Sequence, residues 1–248
     1  KKGQKKQIKI LVKSKEIKVL ELLYNEKVLN KWNSPSNNIN YTIETDHMSL
    51  GTRYFSLRVT LNSGEIYDDK RAITIYNSSP PILKKLKVIE EYPHNDSNYT
   101  QGLEFYKDEL YESTGDPGSK GKSMVAKINL LTGETLDKAI LGRPYFGEGI
   151  TILNDTIYQL TWKSQECKLY DANALSLNKT LTYSGEGWGM CNNGKEIITS
   201  DGTHKLFFRN PQTFAIIKTI EVHTDKSPVR NLNELEYING EIYANVYM

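Results

Sequence analysis

A chain of 248 residues, 38% hydrophobic and 25% charged, is long enough to bury one large core or two modest ones. Lys+Arg 32 against Asp+Glu 30 leaves a formal charge of +2, which gives no electrostatic case for nucleic acid or an acidic membrane surface. No window approaches the ~18 consecutive apolar residues that a membrane span requires, and the two cysteines, Cys167 and Cys191, have no metal-ligand spacing, although a disulfide between them stays open.

The first twenty residues are rich in lysine, but the lysines alternate with apolar residues as on the outward face of a strand. Short strands of period two are predicted at Ile8 to Val12, Ile17 to Leu23, Ile39 to Ile43, Phe55 to Leu61 and Ala72 to Tyr76. Asn62-Ser63-Gly64 reads as a hairpin turn. About seven such strands predict a small β-sandwich of immunoglobulin-like kind over residues 1–79. Asn77-Ser78-Ser79-Pro80-Pro81 has no periodicity and two prolines that cannot donate to a ladder, so it reads as a linker to a second domain over 80–248.

After the linker, Leu86 to Ile89 reads as a lone strand, and then a repeat begins. Related motifs recur every 40 to 47 residues, the first three of them containing glycine: Thr100-Gln101-Gly102-Leu103, Phe146-Gly147-Glu148-Gly149, Gly185-Glu186-Gly187-Trp188-Gly189 and Leu232-Asn233-Glu234-Leu235. Each opens a strand, a polar turn and a second strand, and in the first three units two more strands follow. Four strands per repeat of this length is the pattern of a β-propeller blade, and no helical period competes. The chain holds about three and a half such blades. The pattern stops at Met248, so a further stretch of roughly 100 residues is expected to complete the ring, with Leu86 to Ile89 joining the last blade. The 248-residue chain alone is expected to be weakly active or inactive.

In a propeller the starts of the innermost strands meet at one mouth of a central channel. That geometry gathers Gln101, Glu148, Trp188 and Asn233, together with Trp162, Asp201 and Tyr247 from the ends of second strands. One carboxylate, two carboxamides and two indoles make an apolar pocket with a few polar groups, the usual composition of a ligand site. Glycines beside Glu148 allow close approach, and the nearby indoles can raise its carboxyl pKa toward the range useful for proton transfer. The four histidines lack metal-site spacing, Ser200-Asp201 is too loose for a nucleophile triad, and no phosphate-binding glycine loop occurs.

Tyr92-Pro93-His94, Tyr99-Thr100-Gln101-Gly102-Leu103, Leu110 to Gly115, Tyr145 to Gly149, Tyr158 to Trp162, Gly185 to Gly189 and Leu232 to Glu236 follow in this order. Together they resemble the plant and bacterial type of glutaminyl cyclase, also called glutamine cyclotransferase, over residues 86–248. The resemblance implies a five-bladed propeller that converts an N-terminal glutaminyl residue to pyroglutamyl and releases ammonia, with no cofactor and no catalytic metal. It implies that Glu148 takes a proton from the attacking amine and delivers one to ammonia, that Gln101 and Asn233 hold the carboxamide and the oxyanion, and that Tyr99, Trp162 and Trp188 wall the pocket. Tyr247 stands where the family usually has Trp, keeping an aromatic wall and adding a hydroxyl. The expected partner is an N-terminal glutaminyl peptide or protein, without nucleic acid and without a transmembrane segment. A monomer is expected, and a sandwich ahead of a catalytic propeller suggests an extracytoplasmic setting (periplasmic, cell-surface or secreted). A propeller that binds a peptide or sugar without turning it over is the alternative. A calcium-dependent lactonase is a third class, but it needs several carboxylates at the mouth.

Overall fold

Period-two alternation dominates the chain, and the computed structural model, which describes residues 1–248, consists of twenty β-strands without a helix. No helix long and apolar enough to cross a membrane occurs. The chain divides into two compact units, Lys1–Ile82 with His223–Pro228, and Leu83–Val222 with Val229–Met248.

The first unit has six strands, not seven. A two-stranded sheet pairs β1 (Lys5–Leu11) with β4 (Asn38–Glu44), and a four-stranded sheet runs β3 (Lys27–Asn33), β2 (Ile17–Tyr24), β5 (Gly51–Leu61), β6 (Ile66–Ile75). The count falls because β5 and β6 form one long hairpin around Asn62 to Glu65, in which the short strands read from the sequence are only parts. Strand β3 carries little apolar alternation and follows the two-residue turn Asn25-Glu26, both with positive φ (48° and 62°). Lacking a glycine, that turn gives a weak signal. Leu22 of β2, Ile43 of β4 and Phe55 of β5 share one buried cluster with Met48 and Ile75, so the two sheets pack face to face.

The second unit is the propeller. Three four-stranded antiparallel blades succeed one another: β7 (Tyr99–Tyr106) to β10 (Thr135–Ile140), β11 (Gly147–Leu153) to β14 (Leu177–Thr182), and β15 (Met190–Asn192) to β18 (Ile216–Glu221). A hairpin of β19 (Leu232–Ile238) and β20 (Glu241–Val246) follows. The first strands are neighbours, β7 beside β11, β11 beside β15 and β15 beside β19. The cores lie between blades: Tyr111 and Val125 of the first pack on Ile150, Ile152 and Ile157 of the second, and Leu160, Cys167 and Tyr183 of the second on Met190 and Ile197 of the third. Covered on both faces, β11 is buried along all seven residues, as a strand between two packed layers must be.

Leu86 to Ile89 forms no strand. No strand of the chain pairs with it, and its apolar side chains are exposed, Leu86 almost fully. Just beyond, Tyr92-Pro93-His94 is fixed by polar contacts: His94 Nε2 lies 2.9 Å from the buried Glu112 carboxylate, which also accepts hydrogen bonds from Asn98 and Thr100. Cys167 and Cys191 are free thiols in different core clusters, so no disulfide joins them, and burial pushes both pKa values up.

Candidate active site

The repeat motifs place chemistry where the ladders lapse. In the pairing of β7 with β8 (Glu109–Gly115), the register slips between Thr100 and Gly102, leaving Gln101 unpaired. Between β11 and β12 (Thr156–Thr161) it slips between Gly147 and Ile150, releasing Glu148, and between β19 and β20 it slips between Leu232 and Leu235, releasing Asn233. A bulge bends its strand and re-aims the extra side chain. Here three bulges at equivalent blade positions turn a carboxamide, a carboxylate and a carboxamide toward one mouth.

They meet in a cavity of about 280 Å³ lined by Tyr99, Gln101, Pro117, Phe146, Glu148, Trp162, Trp188, Asn233 and Tyr247. Seven of the eight residues gathered from the sequence for this mouth are in that lining. Asp201 is not, because its carboxylate caps the next turn, accepting hydrogen bonds from the Thr203 amide and hydroxyl. Ser200 has a structural duty: its hydroxyl accepts from the Gly189 amide and donates to the Asn233 carbonyl, both at 2.8 Å, tying the third blade to the final hairpin. Ser200→Ala leaves those two groups without their partner and is expected to cost about 2 kcal/mol in chemical denaturation. A loss below a few tenths would show that water replaces the hydroxyl.

Phe146 and Pro117 were not foreseen as lining residues. Phe146 lies in the glycine-rich motif itself, and the missing Cβ of Gly115 is what admits its ring. Pro117 follows the buried Asp116, whose carboxylate accepts from the Gly121 and Lys122 amides and so folds the β8–β9 connection, β9 being Met124–Ile128, back on itself.

The two glycines beside Glu148 serve close packing rather than a turn, since neither has positive φ. A Cβ on Gly147 would lie 2.6 Å from the Thr114 carbonyl, and one on Gly149 would lie 2.7 Å from the Met190 amide nitrogen and the Glu234 carboxylate. The blades close over Glu148 as a result, leaving it 5% exposed. Burial, with a smaller contribution from the Glu186 charge, pushes its carboxyl up to about 9. It is therefore a neutral acid at pH 7. Beneath the cavity floor the Glu234 carboxyl, also raised by burial, lies against Gly102 and Gly149, with Glu236 and Glu104 further along the channel. Burial raises Glu104 to about 7. Glu148 is the single carboxylate among the cavity's lining residues, so a hard cation there would find one carboxylate and two carboxamide oxygens.

The sequence profile of a family described as glutamine cyclotransferase matches residues 60–248. The chain belongs to the glutamine cyclotransferase family. A curated glutaminyl-peptide cyclotransferase of Arabidopsis thaliana is 40% identical over 169 residues, which are 66% of this chain and 51% of that protein. The chain thus spans about half the length of that curated cyclotransferase. The crystal structure of Myxococcus xanthus glutaminyl cyclase superposes with a TM-score of 0.60 at 34% identity, covering 64% of this chain and 66% of that one. The cyclotransferase match begins upstream of the motifs in residues 86–248, within β5.

Proposed function

We propose that this chain carries the active site of a glutaminyl-peptide cyclotransferase, which closes an N-terminal glutamine into pyroglutamate and releases ammonia. The observation that carries this reading is a buried, protonated Glu148 set between two carboxamides in a cavity of single-residue size. The substrate supplies both reactants, so the protein must fold the side chain toward its own α-amine and move protons.

The raised pKa orders the proton transfers. A carboxyl near its ordinary value would lie more than three units below the ~7.7–8.0 of an α-amine and would be a poor proton partner for it. At about 9 the two are matched to roughly a unit. The neutral amine attacks the γ-carbonyl carbon, forming the ring C–N bond, and the resulting oxyanion is held by the amide N–H groups of Gln101 and Asn233. Glu148, protonated at the outset, gives its proton to the departing amide nitrogen as that C–N bond breaks. The carboxylate so formed takes the extra proton from the ring nitrogen. The family resemblance implies base before acid, and the burial of Glu148 argues for the reverse order.

The test is mass spectrometry of a glutaminyl peptide incubated with the protein across pH, with and without chelator. Loss of one ammonia is expected, insensitive to chelator, with a rising limb near the amine's pKa and a falling limb as Glu148 ionises near 9. Tight binding of the peptide without any ammonia release would favour a binding propeller instead.

A further inference from the structure

Glu186 is outside the cavity lining but touches two of its walls. The aromatic lining falls into two arms. In one, Tyr99 meets Phe146 edge-on at 6.1 Å between centroids, and Phe146 meets Trp162 at 5.6 Å. In the other, Trp188 meets Tyr247 at 6.0 Å. The arms are joined through one atom: Glu186 Oε2 accepts from Trp162 Nε1 at 2.8 Å and from Trp188 Nε1 at 3.0 Å.

We propose that Glu186 is a positioning residue of this site, a carboxylate clamp that fixes the separation of Trp162 and Trp188 and so shapes the slot that receives the substrate's glutaminyl side chain. The proposal rests on the cyclotransferase reading for the identity of what enters the slot, but the clamp itself does not.

An indole has one N–H donor and cannot bond another indole, so two facing tryptophans need a shared acceptor. An ionised carboxylate is the strongest available from a side chain. The chain around Glu186 is fixed to match. Gly185 takes φ +93°, Gly187 leaves the space that the Tyr183 hydroxyl occupies, and the Gly187 amide donates to the Trp162 carbonyl at 3.0 Å. Lys163 closes the outer side, its Nζ 3.9 Å above the Trp162 ring and 4.0 Å from Glu186 Oε1. The indole bonds, Trp188's first, hold the Glu186 carboxyl below its usual range, so it is charged while Glu148 is neutral. The charge that acts on Glu148 is that of the Glu186 carboxylate; the Glu234 carboxyl and the Tyr183 hydroxyl, both pushed up by burial, are the other titratable groups coupled to it.

Two variants separate the clamp from the charge. Glu186→Gln keeps a carbonyl acceptor but removes the charge, whereas Glu186→Ala removes both. The chain has three tryptophans, and Trp32 in the first unit serves as an internal reference. In 1H–15N spectra the Trp162 and Trp188 indole resonances are expected to shift upfield together in Glu186→Ala and less in Glu186→Gln, with Trp32 unmoved. In turnover, Glu186→Ala is expected to raise KM about tenfold with a smaller change in kcat, because a loosened slot weakens ground-state and transition-state binding alike. Glu186→Gln is expected to keep KM within about threefold and to move the alkaline limb to lower pH. Indole resonances unmoved in both variants would overturn the clamp, as would an unchanged KM in Glu186→Ala. If the wild-type protein binds but does not cyclise glutaminyl peptides, the cyclotransferase reading fails while the indole resonances still decide the clamp.

Discussion

Glu148→Gln is expected to lower turnover by on the order of 10³-fold while making the propeller more stable at neutral pH. The amide fills the same space and can donate a hydrogen bond, but it cannot exchange a proton between the two nitrogens. The stability gain follows from linkage. A carboxyl whose folded pKa is raised binds its proton more tightly in the folded state, so its stabilising contribution is complete below the unfolded pKa near 4.5 and is lost as pH rises toward the folded value of about 9. At pH 7 the difference between folded and unfolded pKa has taken away up to about 3 kcal/mol. Glutamine has no proton to lose. The variant's advantage in Tm is therefore expected to be near zero at pH 4.5 and to grow with pH, reaching roughly 6–12 °C at pH 7. A Tm difference independent of pH would contradict the buried neutral acid, and a variant with more than about a tenth of wild-type turnover would remove Glu148 from the chemistry.

Gly189→Ala is expected to be the most damaging change at the site that touches no ionisable group. Its φ is not positive, so the new methyl group strains no dihedral, but it would overlap the Asn233 carbonyl and lie 2.5 Å from the Glu234 Cα. Both obstacles are backbone, which cannot rotate aside. A loss of about 3 kcal/mol or more is expected in urea denaturation, at or above the upper end of overpacking costs. Turnover should fall about a hundredfold because Asn233 is displaced from the oxyanion. Gly185→Ala is the control: it has φ +93° and open space around it, so it should cost only the ~1–2 kcal/mol of a left-handed alanine and spare Asn233. Equal effects of the two substitutions would mean that the blades can part at Gly189.

The contrast between these glycines shows why the sequence revealed some features and hid others. The blade repeat was legible because each unit needs the same apolar strands and the first three open on a glycine, and a motif spaced by 40 to 47 residues survives in one dimension. The convergence of Gln101, Glu148 and Asn233 followed from that spacing alone. Glu186 was read only as part of a motif, because its role depends on two indoles that belong to different blades, Trp162 after β12 and Trp188 before β15. Phe146 and Pro117 escaped for a related reason, their contribution depending on the space left by Gly115 and on the fold of one loop. Leu86 to Ile89 failed in the opposite sense. Its alternation suits a strand, but a strand also needs a partner, and periodicity does not say where the partner lies.

The register slips at the blade starts have a consequence for how such a site can change over time. Gln101, Glu148 and Asn233 sit at the steps where the pairing skips, so exchanging one of these side chains removes no rung of the ladder. The framework and the reactive groups can therefore vary on separate schedules: the strands answer to packing between blades, and the mouth positions answer to whatever enters the cavity. The first two blades and the final hairpin each contribute one such socket, and a new specificity can be assembled by refilling sockets one at a time while the stack of sheets stays folded.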